Sequence, residues 1–252
     1  MQTKQLLSIK ISLGTYTSFV DRLIEQALSG QFSYTCVANV HMLIEAYRDL
    51  TFAAVVNNAT IVTPDGQPLT WALKFLYGIE QVRVAGMDLL PDLLSVAEKK
   101  DIPVFFYGGT DSMQDATKNH LASKYPNLKI AGMYSPPFRS LSEAEEIATL
   151  KMINNSGARM VFVVLGCPKQ EKWMASMKGK INSVMIGIGG ALPVLVGIQK
   201  RAPKWMQRAG LEWFFRLCQE PRRLFKRYAF TNSLFVYLVF KRKFSFKKYS
   251  EN

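Results

Sequence analysis

The sequence predicts an α/β fold in which helices cover a parallel sheet, and three observations lead to it. Short β-branched or aromatic runs alternate with amphipathic stretches over most of the chain, which is the pattern of repeated strand–helix units. Some runs, such as residues 161–165, are continuously apolar, as expected for parallel strands buried on both faces. The excess positive charge lies near the C-terminus. Together they predict a Rossmann-like parallel sheet followed by a basic amphipathic helical appendage.

The expected elements follow from this alternation in chain order. Each strand is a short run of residues that favour extended backbone: 8–14, 34–38, 59–63, 104–108, 129–134, 160–166 and 184–189. Each helix is an amphipathic stretch between two such runs: 17–28, 40–54, 68–77, 87–99, 112–124, 142–155 and 168–177. Glycine-bearing turns at 63–66, 107–111, 165–171 and 187–191 each follow a strand and precede a helix. Because ligands bind where such strands end, we expect the four turns to line one crevice.

Length and charge divide the chain into two parts. At 252 residues and 48% hydrophobic composition, it can bury a substantial core. Residues 200–252 contain fourteen basic and three acidic residues, which is +11 of the net +13, so residues 1–199 are close to neutral. We therefore predict an α/β domain over 1–199 and, over 200–252, an appendage that meets an anionic partner.

Cysteine usage and apolar patterning predict a cytoplasmic protein that sits on a membrane without crossing it. The cysteines, Cys36, Cys167 and Cys218, are widely spaced, which argues against a disulfide framework or zinc site and fits a reducing cytosol. The first ten residues lack the apolar stretch of a signal peptide. No uninterrupted apolar run reaches the roughly 18–20 residues that a membrane-spanning helix needs.

The glycine-bearing turns favour phosphate binding, because glycine lets the backbone approach a phosphate and a helix N-terminus attracts its charge. The alternative is that glycine only permits tight turns. The sequence has no P-loop motif and no convincing GxGxxG followed by an acidic residue. These absences argue against a P-loop NTPase and give a dinucleotide-dependent oxidoreductase little support. With two histidines and no DxD at the strand ends, we expect neither a His-based triad nor a metal site.

Two charged residues are candidates for chemistry. Asp65 follows an apolar strand between Pro64 and Gly66, so its carboxylate is placed to act as a general base. The alternative is that Asp65 caps the next helix, a frequent role of aspartate. Arg83 precedes another short turn and is suited to hold a pyrophosphate by charge-assisted hydrogen bonds, although a lone arginine is also often a solvated surface group.

The appendage combines positive charge with aromatic residues. Pro203 is expected to begin a helix in which Trp205 and Trp213 share a face, with Arg208 and Arg216 repeating at the same interval. Such segments bind membranes by apolar insertion and by attraction to anionic lipids. Two alternatives are that the apolar residues pack on the body, above all over 211–217, or that the segment binds nucleic acid. The body has no nucleic-acid-binding motif, so a membrane is favoured.

Seven blocks of sequence, four in the body and three in the appendage, carry a resemblance to a known family. They are residues 63–66 (TPDG), 84–89 (VAGMDL), 166–173 (GCPKQEKW), 187–191 (GIGGA) and, in the appendage, RAPKW from 201, GLEW from 210 and EPRR from 220. In this order they resemble the WecG/TagA/CpsF glycosyltransferases over residues 39–228. The CPKQExxW and appendage blocks are specific, whereas the glycine turns alone are not.

The resemblance implies a function. The family transfers a sugar from a nucleotide diphosphate to a polyprenyl-diphosphate-linked sugar at the cytoplasmic membrane face, with inversion and without a metal or other cofactor. For this chain it implies a UDP-sugar donor carrying N-acetylmannosamine, its uronic acid or glucose. Residues 192–193 (LP) depart from the Phe-Asp that the family often has there, which leaves donor identity open. A homo-oligomer also stays open, and the alternative function is a non-catalytic membrane- or nucleic-acid-binding protein.

The resemblance also assigns roles to residues. It makes Asp65 the base that deprotonates the acceptor, and it places Arg83, Asn39 and Gln170 in the donor pocket. Together with the glycine turns, it predicts a substrate-binding set of Asn39, Gly108, Gly109, Gly166, Gln170, Glu171, Gly189 and Gly190. The basic residues expected to meet the lipid diphosphate or the membrane are Arg201, Arg208, Arg216, Arg222 and Arg223.

Overall fold

A six-stranded parallel sheet forms the centre of the protein. The computed structural model describes the backbone of residues 1–250 and the side chains of residues 1–245. The sheet contains β3 (Ser33–Ala38), β4 (Ile61–Pro64), β5 (Val104–Gly108), β6 (Ile130–Tyr134), β7 (Met160–Val164) and β8 (Val184–Gly187). These strands lie in the order β4-β3-β8-β7-β5-β6, and every neighbouring pair is parallel. The predicted α/β class with a Rossmann-like sheet is confirmed.

Helices cover both faces of the sheet. One face carries α1 (Tyr16–Ser29), α5 (Gly86–Lys99), α6 (Asp111–Lys124) and α9 (Ala191–Leu195). The other carries α2 (Val40–Arg48), α3 (Leu50–Asn57), α4 (Gln67–Tyr77), α7 (Glu143–Asn155), α8 (Lys169–Met177) and α12 (Pro221–Ser250). Alternate strand residues enter opposite cores: Phe105 and Tyr107 pack on the second face, Phe106 on the first. This period-two alternation is what makes the strands apolar throughout.

The sequence-based elements differ from the structure in two places in the first sixty residues. The strand expected over 8–14 is present as β2 (Ile9–Leu13), but it pairs with β1 (Gln2–Leu6) in an antiparallel hairpin that was not expected. The hairpin is joined to the sheet by Ser12, whose hydroxyl accepts the Val62 N–H at 3.0 Å. The helix expected over 40–54 is divided into α2 and α3, because the Asp49 carboxylate accepts the N–H groups of Thr51 and Phe52 and so begins a new helix.

The appendage is also divided. A continuous helix after Pro203 was expected, but α10 (Lys204–Arg208) ends before Gly210, and α11 (Glu212–Gln219) begins after it. Gly210 has a φ of +70°, which ends a helix and which other residues adopt only at a cost. The two tryptophans therefore lie on separate helices. Within residues 1–250, no helix combines the length and the apolar character needed to cross a membrane.

The last helix packs on the body rather than standing apart from it. Phe235, Leu238 and Val239 of α12 are buried and belong to the core that α2, α3 and α4 form on their face of the sheet. By contrast, α11 has no buried residue. The appendage therefore reaches the strand ends through a buried anchor on α12 and an exposed α11.

Candidate active site

A cavity of about 1040 Å³ lies at the carboxyl ends of β3, β4, β7 and β8. Asn39 follows β3, Asp65 follows β4, Gly166 follows β7, and Gly189 and Gly190 follow β8; all of them line the cavity. Three of the four turns expected to share a crevice therefore meet there.

The fourth turn, at the end of β5, does not contribute its glycines to the cavity lining. Gly108 has a φ of +109°, and a Cβ added to it would lie 2.6 Å from the Val164 carbonyl oxygen. Gly108 therefore allows β5 and β7 to approach closely, and like Gly109 it is not among the residues that line the cavity. Met113 of α6 reaches the cavity instead.

Asp65 is held at the cavity wall by its backbone. Its N–H donates to the Ala38 carbonyl at 2.7 Å, which ties the residue after β4 to the end of β3. The capping alternative is wrong, because α4 begins at a Gly66 N-cap without any side-chain cap hydrogen bond. The partly buried carboxyl group is thus available to a ligand.

The surroundings of Asp65 make its carboxyl group a stronger base than usual. Burial raises its pKa to about 7, because the anion loses hydration. Arg83 and Arg216 oppose this increase, whereas the carboxylates of Glu212 and Asp88 add to it. A base with a pKa close to neutral pH is well matched to accept a proton from a hydroxyl group.

Arg83 belongs to an ion-pair cluster beside the cavity. Its guanidinium is mostly buried, bonds the Asp88 carboxylate at 3.0 Å and pairs with Glu212 of α11. Asp88 also pairs with Arg201. Arg83, Arg201 and Arg208 line a second hollow of about 500 Å³ rather than the main cavity. The cluster connects the body to α11, and Arg83 acts on Asp65 through its charge.

Gln170 and Glu171 have different positions although they are adjacent in the chain. Gln170 lines the cavity. Its side-chain oxygen accepts the Gly166 N–H at 3.2 Å, and its side-chain nitrogen donates to the Glu171 carboxyl group at 2.7 Å. Glu171 is fully buried and outside the lining, and burial raises its pKa. Glu171 therefore orients Gln170. Asn39 also has a structural contact, since its side-chain oxygen accepts the Met42 N–H at 3.2 Å and caps α2.

Arginines of α11 and α12 form the basic part of the cavity wall. Arg216 lies against the β8 turn, where a Cβ added to Gly190 would meet its guanidinium at 2.7 Å. Arg223 and Arg227 also line the cavity, whereas Arg222 is exposed and does not. Arg227 was not predicted from sequence; the signal that could have identified it is its spacing of four residues from Arg223, which places both on one face of α12.

Further lining residues were missed by the sequence analysis. They include His41, whose pKa responds to the charge of Arg227, and the body aromatic residues Trp71 and Phe75. Burial lowers the pKa of His41, and the positive charge of Arg227 lowers it further. Among the described residues, no three His, Cys, Asp or Glu side chains come together as a metal site would require. The arrangement can bind an anion through arginine side chains next to a carboxyl group whose pKa is close to neutral pH.

Comparison with known proteins identifies relatives along most of the chain. The model of the Glycosyl transferase WecG/TagA/CpsF family matches residues 4–249. Three of the similar proteins are named N-acetylglucosaminyldiphosphoundecaprenol N-acetyl-beta-D-mannosaminyltransferase. The Bacillus subtilis protein is 34% identical over 228 residues (88% of this chain, 86% of the relative). The Bacillus spizizenii protein is 33% identical over 225 residues (88% and 86%), and a Staphylococcus aureus protein is 27% identical over 219 residues (85% and 82%).

Proposed function

Because this chain belongs to the WecG/TagA/CpsF glycosyltransferase family, we propose that it transfers N-acetylmannosamine from its UDP derivative to N-acetylglucosamine linked to a polyprenyl diphosphate. The relatives are named for this sugar and for a diphosphoundecaprenol-linked acceptor. The observation that carries the proposed chemistry is the Asp65 carboxyl group, with a pKa raised to about 7, in a cavity whose wall also carries three arginines.

The proposed reaction is a direct displacement at the anomeric carbon. An acceptor hydroxyl oxygen attacks that carbon, the bond from the carbon to the UDP oxygen breaks, and UDP leaves with the electron pair. Asp65 accepts the hydroxyl proton as the new bond forms. A single displacement inverts the configuration of the anomeric carbon, which is the stereochemistry that the family resemblance implies.

The departing diphosphate needs positive charge where its negative charge develops. Arg216, Arg223 and Arg227 line the cavity on the side of the appendage and are the groups we assign to this role. Gln170 and Asn39 present amide groups at the ends of β7 and β3, which suits them to hydrogen bond the donor. Arg83 is assigned an indirect role, because it pairs with Glu212 and Asp88 and acts on Asp65 through its charge.

The location we propose is the inner membrane surface, where a lipid-linked acceptor is found. The net charge of +11 over residues 200–252 favours attraction to anionic lipids. Trp205 is 64% exposed and Phe214 46% exposed on the two short helices that precede α12, so both side chains are available to enter a bilayer interface.

The test is a transfer assay with the purified full chain. UDP-N-acetylmannosamine, its uronic acid and UDP-glucose are each offered with a polyprenyl-diphosphate N-acetylglucosamine, and the product is identified by mass. We expect addition of one N-acetylmannosamine. Transfer of another sugar would refute the donor assignment, and no product with any donor would refute the proposed function.

A neighbouring pair of basic residues provides a matched control for the arginine role. Arg227→Ala removes a charge from the cavity wall, whereas Lys226→Ala removes one from an exposed position outside it. With a water-soluble acceptor, we expect Arg227→Ala to reduce kcat by roughly 10²-fold and Lys226→Ala to leave it near wild type. Equal effects would show that only the overall charge of the appendage matters.

A further inference from the structure

One face of α12 follows the cavity for about five turns and changes character along its length. The lining residues of its first half include Arg223, Arg227 and Asn232, and those of its second half include Val236 and Phe240. Their spacing of four or five residues keeps them on one side of the helix. From Arg223 to Phe240 this side extends roughly 25 Å. The wall is therefore cationic and polar near the strand ends and apolar farther away.

Helix α4 presents a matching gradient on the facing wall. Gln67, Trp71 and Phe75 line the cavity at intervals of four residues, starting next to Asp65 and running outward. The rings of Phe75 and Phe240 meet edge to face, with centroids 5.5 Å apart. The two helices thus enclose a groove that leaves the polar part of the cavity and ends between aromatic side chains.

The outer end of this groove exposes apolar surface to solvent. Trp71 is 54% exposed, Phe75 42%, Val236 50% and Phe240 49%. Large apolar side chains that cluster at a cavity mouth indicate a binding site for an apolar ligand. The groove is held in shape from beneath by the buried residues of α12, and beside it Lys243 donates to the Phe75 carbonyl at 2.7 Å.

We propose that the groove between α4 and α12 binds the first isoprene units of the acceptor's polyprenyl chain. The proposal rests on the proposed function, and the order of groups along the cavity supports it. The base is at the strand ends, three arginines follow, and the apolar groove comes last. The acceptor carries its groups in the same order, as sugar, diphosphate and hydrocarbon. One extended ligand therefore places its sugar at the base, its diphosphate at the arginines and its hydrocarbon in the apolar groove.

Continuity with the charged cavity is what favours a polyprenyl chain over a partner protein. The groove opens from the same cavity that holds Arg223 and Arg227, so its ligand must carry an anionic group next to its apolar part. A prenyl diphosphate has this structure. An apolar helix of another protein would leave the arginine-lined section of the cavity unfilled.

The experiment measures binding rather than transfer, so that it is independent of catalysis. Geranyl diphosphate, which carries two isoprene units, and methyl diphosphate are titrated into the full chain by calorimetry, without vesicles or detergent. Burial of the ten-carbon chain is expected to make geranyl diphosphate bind about tenfold more tightly. In the Trp71→Ser/Val236→Ser double variant this preference should fall to about twofold or less. Both side chains are half exposed, so the variant is expected to fold.

The control is Phe138→Ser, because Phe138 is 85% exposed and lies outside the cavity; its preference should equal that of wild type. Equal binding of the two ligands by wild type would overturn the proposal and leave the apolar patch to a bilayer or a protein partner. An unchanged preference in the double variant would overturn it as well. If the transfer assay gives no product but the geranyl preference and its loss are found, the proposed function fails while the prenyl diphosphate groove is supported.

Discussion

Replacing Asp65 by Asn tests whether one carboxyl group both acts as the catalytic base and lowers the free energy of unfolding. Asparagine keeps the size of the side chain and removes its ionisation. Burial raises the pKa of Asp65 from its ordinary 3.8 to about 7, so the folded protein disfavours the charged form relative to the unfolded chain. We therefore expect Asp65→Asn to be inactive and, above pH 4, more stable than wild type.

The size of the gain follows from the two pKa values. Between pH 3.8 and about 7, the carboxyl group is ionised in the unfolded chain but largely protonated in the folded protein. The unfolded state then binds fewer protons, so the free energy of unfolding of wild type decreases as the pH rises, and it levels off above pH 7. Asp65→Asn has no ionisable group at this position, so its free energy of unfolding does not show this decrease. Its advantage should be roughly 1–2 kcal/mol at about pH 5 and about 4 kcal/mol at about pH 8.

The assay is urea unfolding of both proteins at these two pH values, combined with transfer rates at the same pH. The exposed Asp21→Asn on α1 serves as a control, whose stability should change by less than about 0.5 kcal/mol. Wild-type activity should rise as the pH increases through about 7, and Asp65→Asn should lower it by roughly 10²- to 10⁴-fold. Equal unfolding free energies at about pH 8 would refute the desolvation of Asp65, and a rate near wild type would refute its role as base.

Three further predictions concern the pKa of Asp65, the packing of Gly108 and the need for the appendage. Glu212→Gln removes a charge that raises the pKa of Asp65, so the rising limb of the pH–rate profile should move to lower pH; an unchanged profile would contradict the electrostatic coupling. Gly108 has a φ of +109°, and the Cβ of an alanine there would clash with the backbone of Val164. Gly166 has a φ of +79°, and the Cβ of an alanine there would meet no atom within 4 Å. Thermal unfolding should therefore show a loss of about 3 kcal/mol or more for the first and about 1–2 kcal/mol for the second, and equal losses would contradict the packing role of Gly108. Deleting residues 200–252 removes the buried anchor of α12 and should lower both the melting temperature and transfer to acceptors in vesicles, and full activity of the shortened chain would refute the need for the appendage.

The sheet could be predicted from sequence because its strands are buried on both faces. Residues 160–164 and 104–108 have no polar side chain that interrupts the apolar run except Tyr107, and such runs do not resemble amphipathic helices. The strand β1 was missed because its sequence, QTKQL, has one large apolar residue. Its pairing with β2 is a tertiary effect that no local pattern records. The break at Asp49 was missed because helix-forming residues flank it on both sides.

The site residues that follow strands could be predicted from sequence. The residues that line the cavity because the appendage packs on the body could not. Asn39, Asp65 and Gln170 each follow a buried strand, which is where ligands bind in such sheets. Trp71 and Phe75 resemble ordinary residues of an amphipathic helix, and they line the cavity because α12 packs beside α4. That packing joins helices that lie far apart in the sequence, so no local pattern records it.

Residues of α11, in the appendage, affect the pKa of Asp65 in the body. Glu212 and Arg216 lie one turn apart on α11 and change the pKa of Asp65 in opposite directions. Their effects therefore partly cancel, and burial is the largest cause of the raised pKa. Both residues line one cavity with Asp65, and they belong to the appendage, whereas Asp65 belongs to the body. In our proposal the appendage therefore adjusts the strength of the base in addition to supplying the arginines that meet the departing diphosphate.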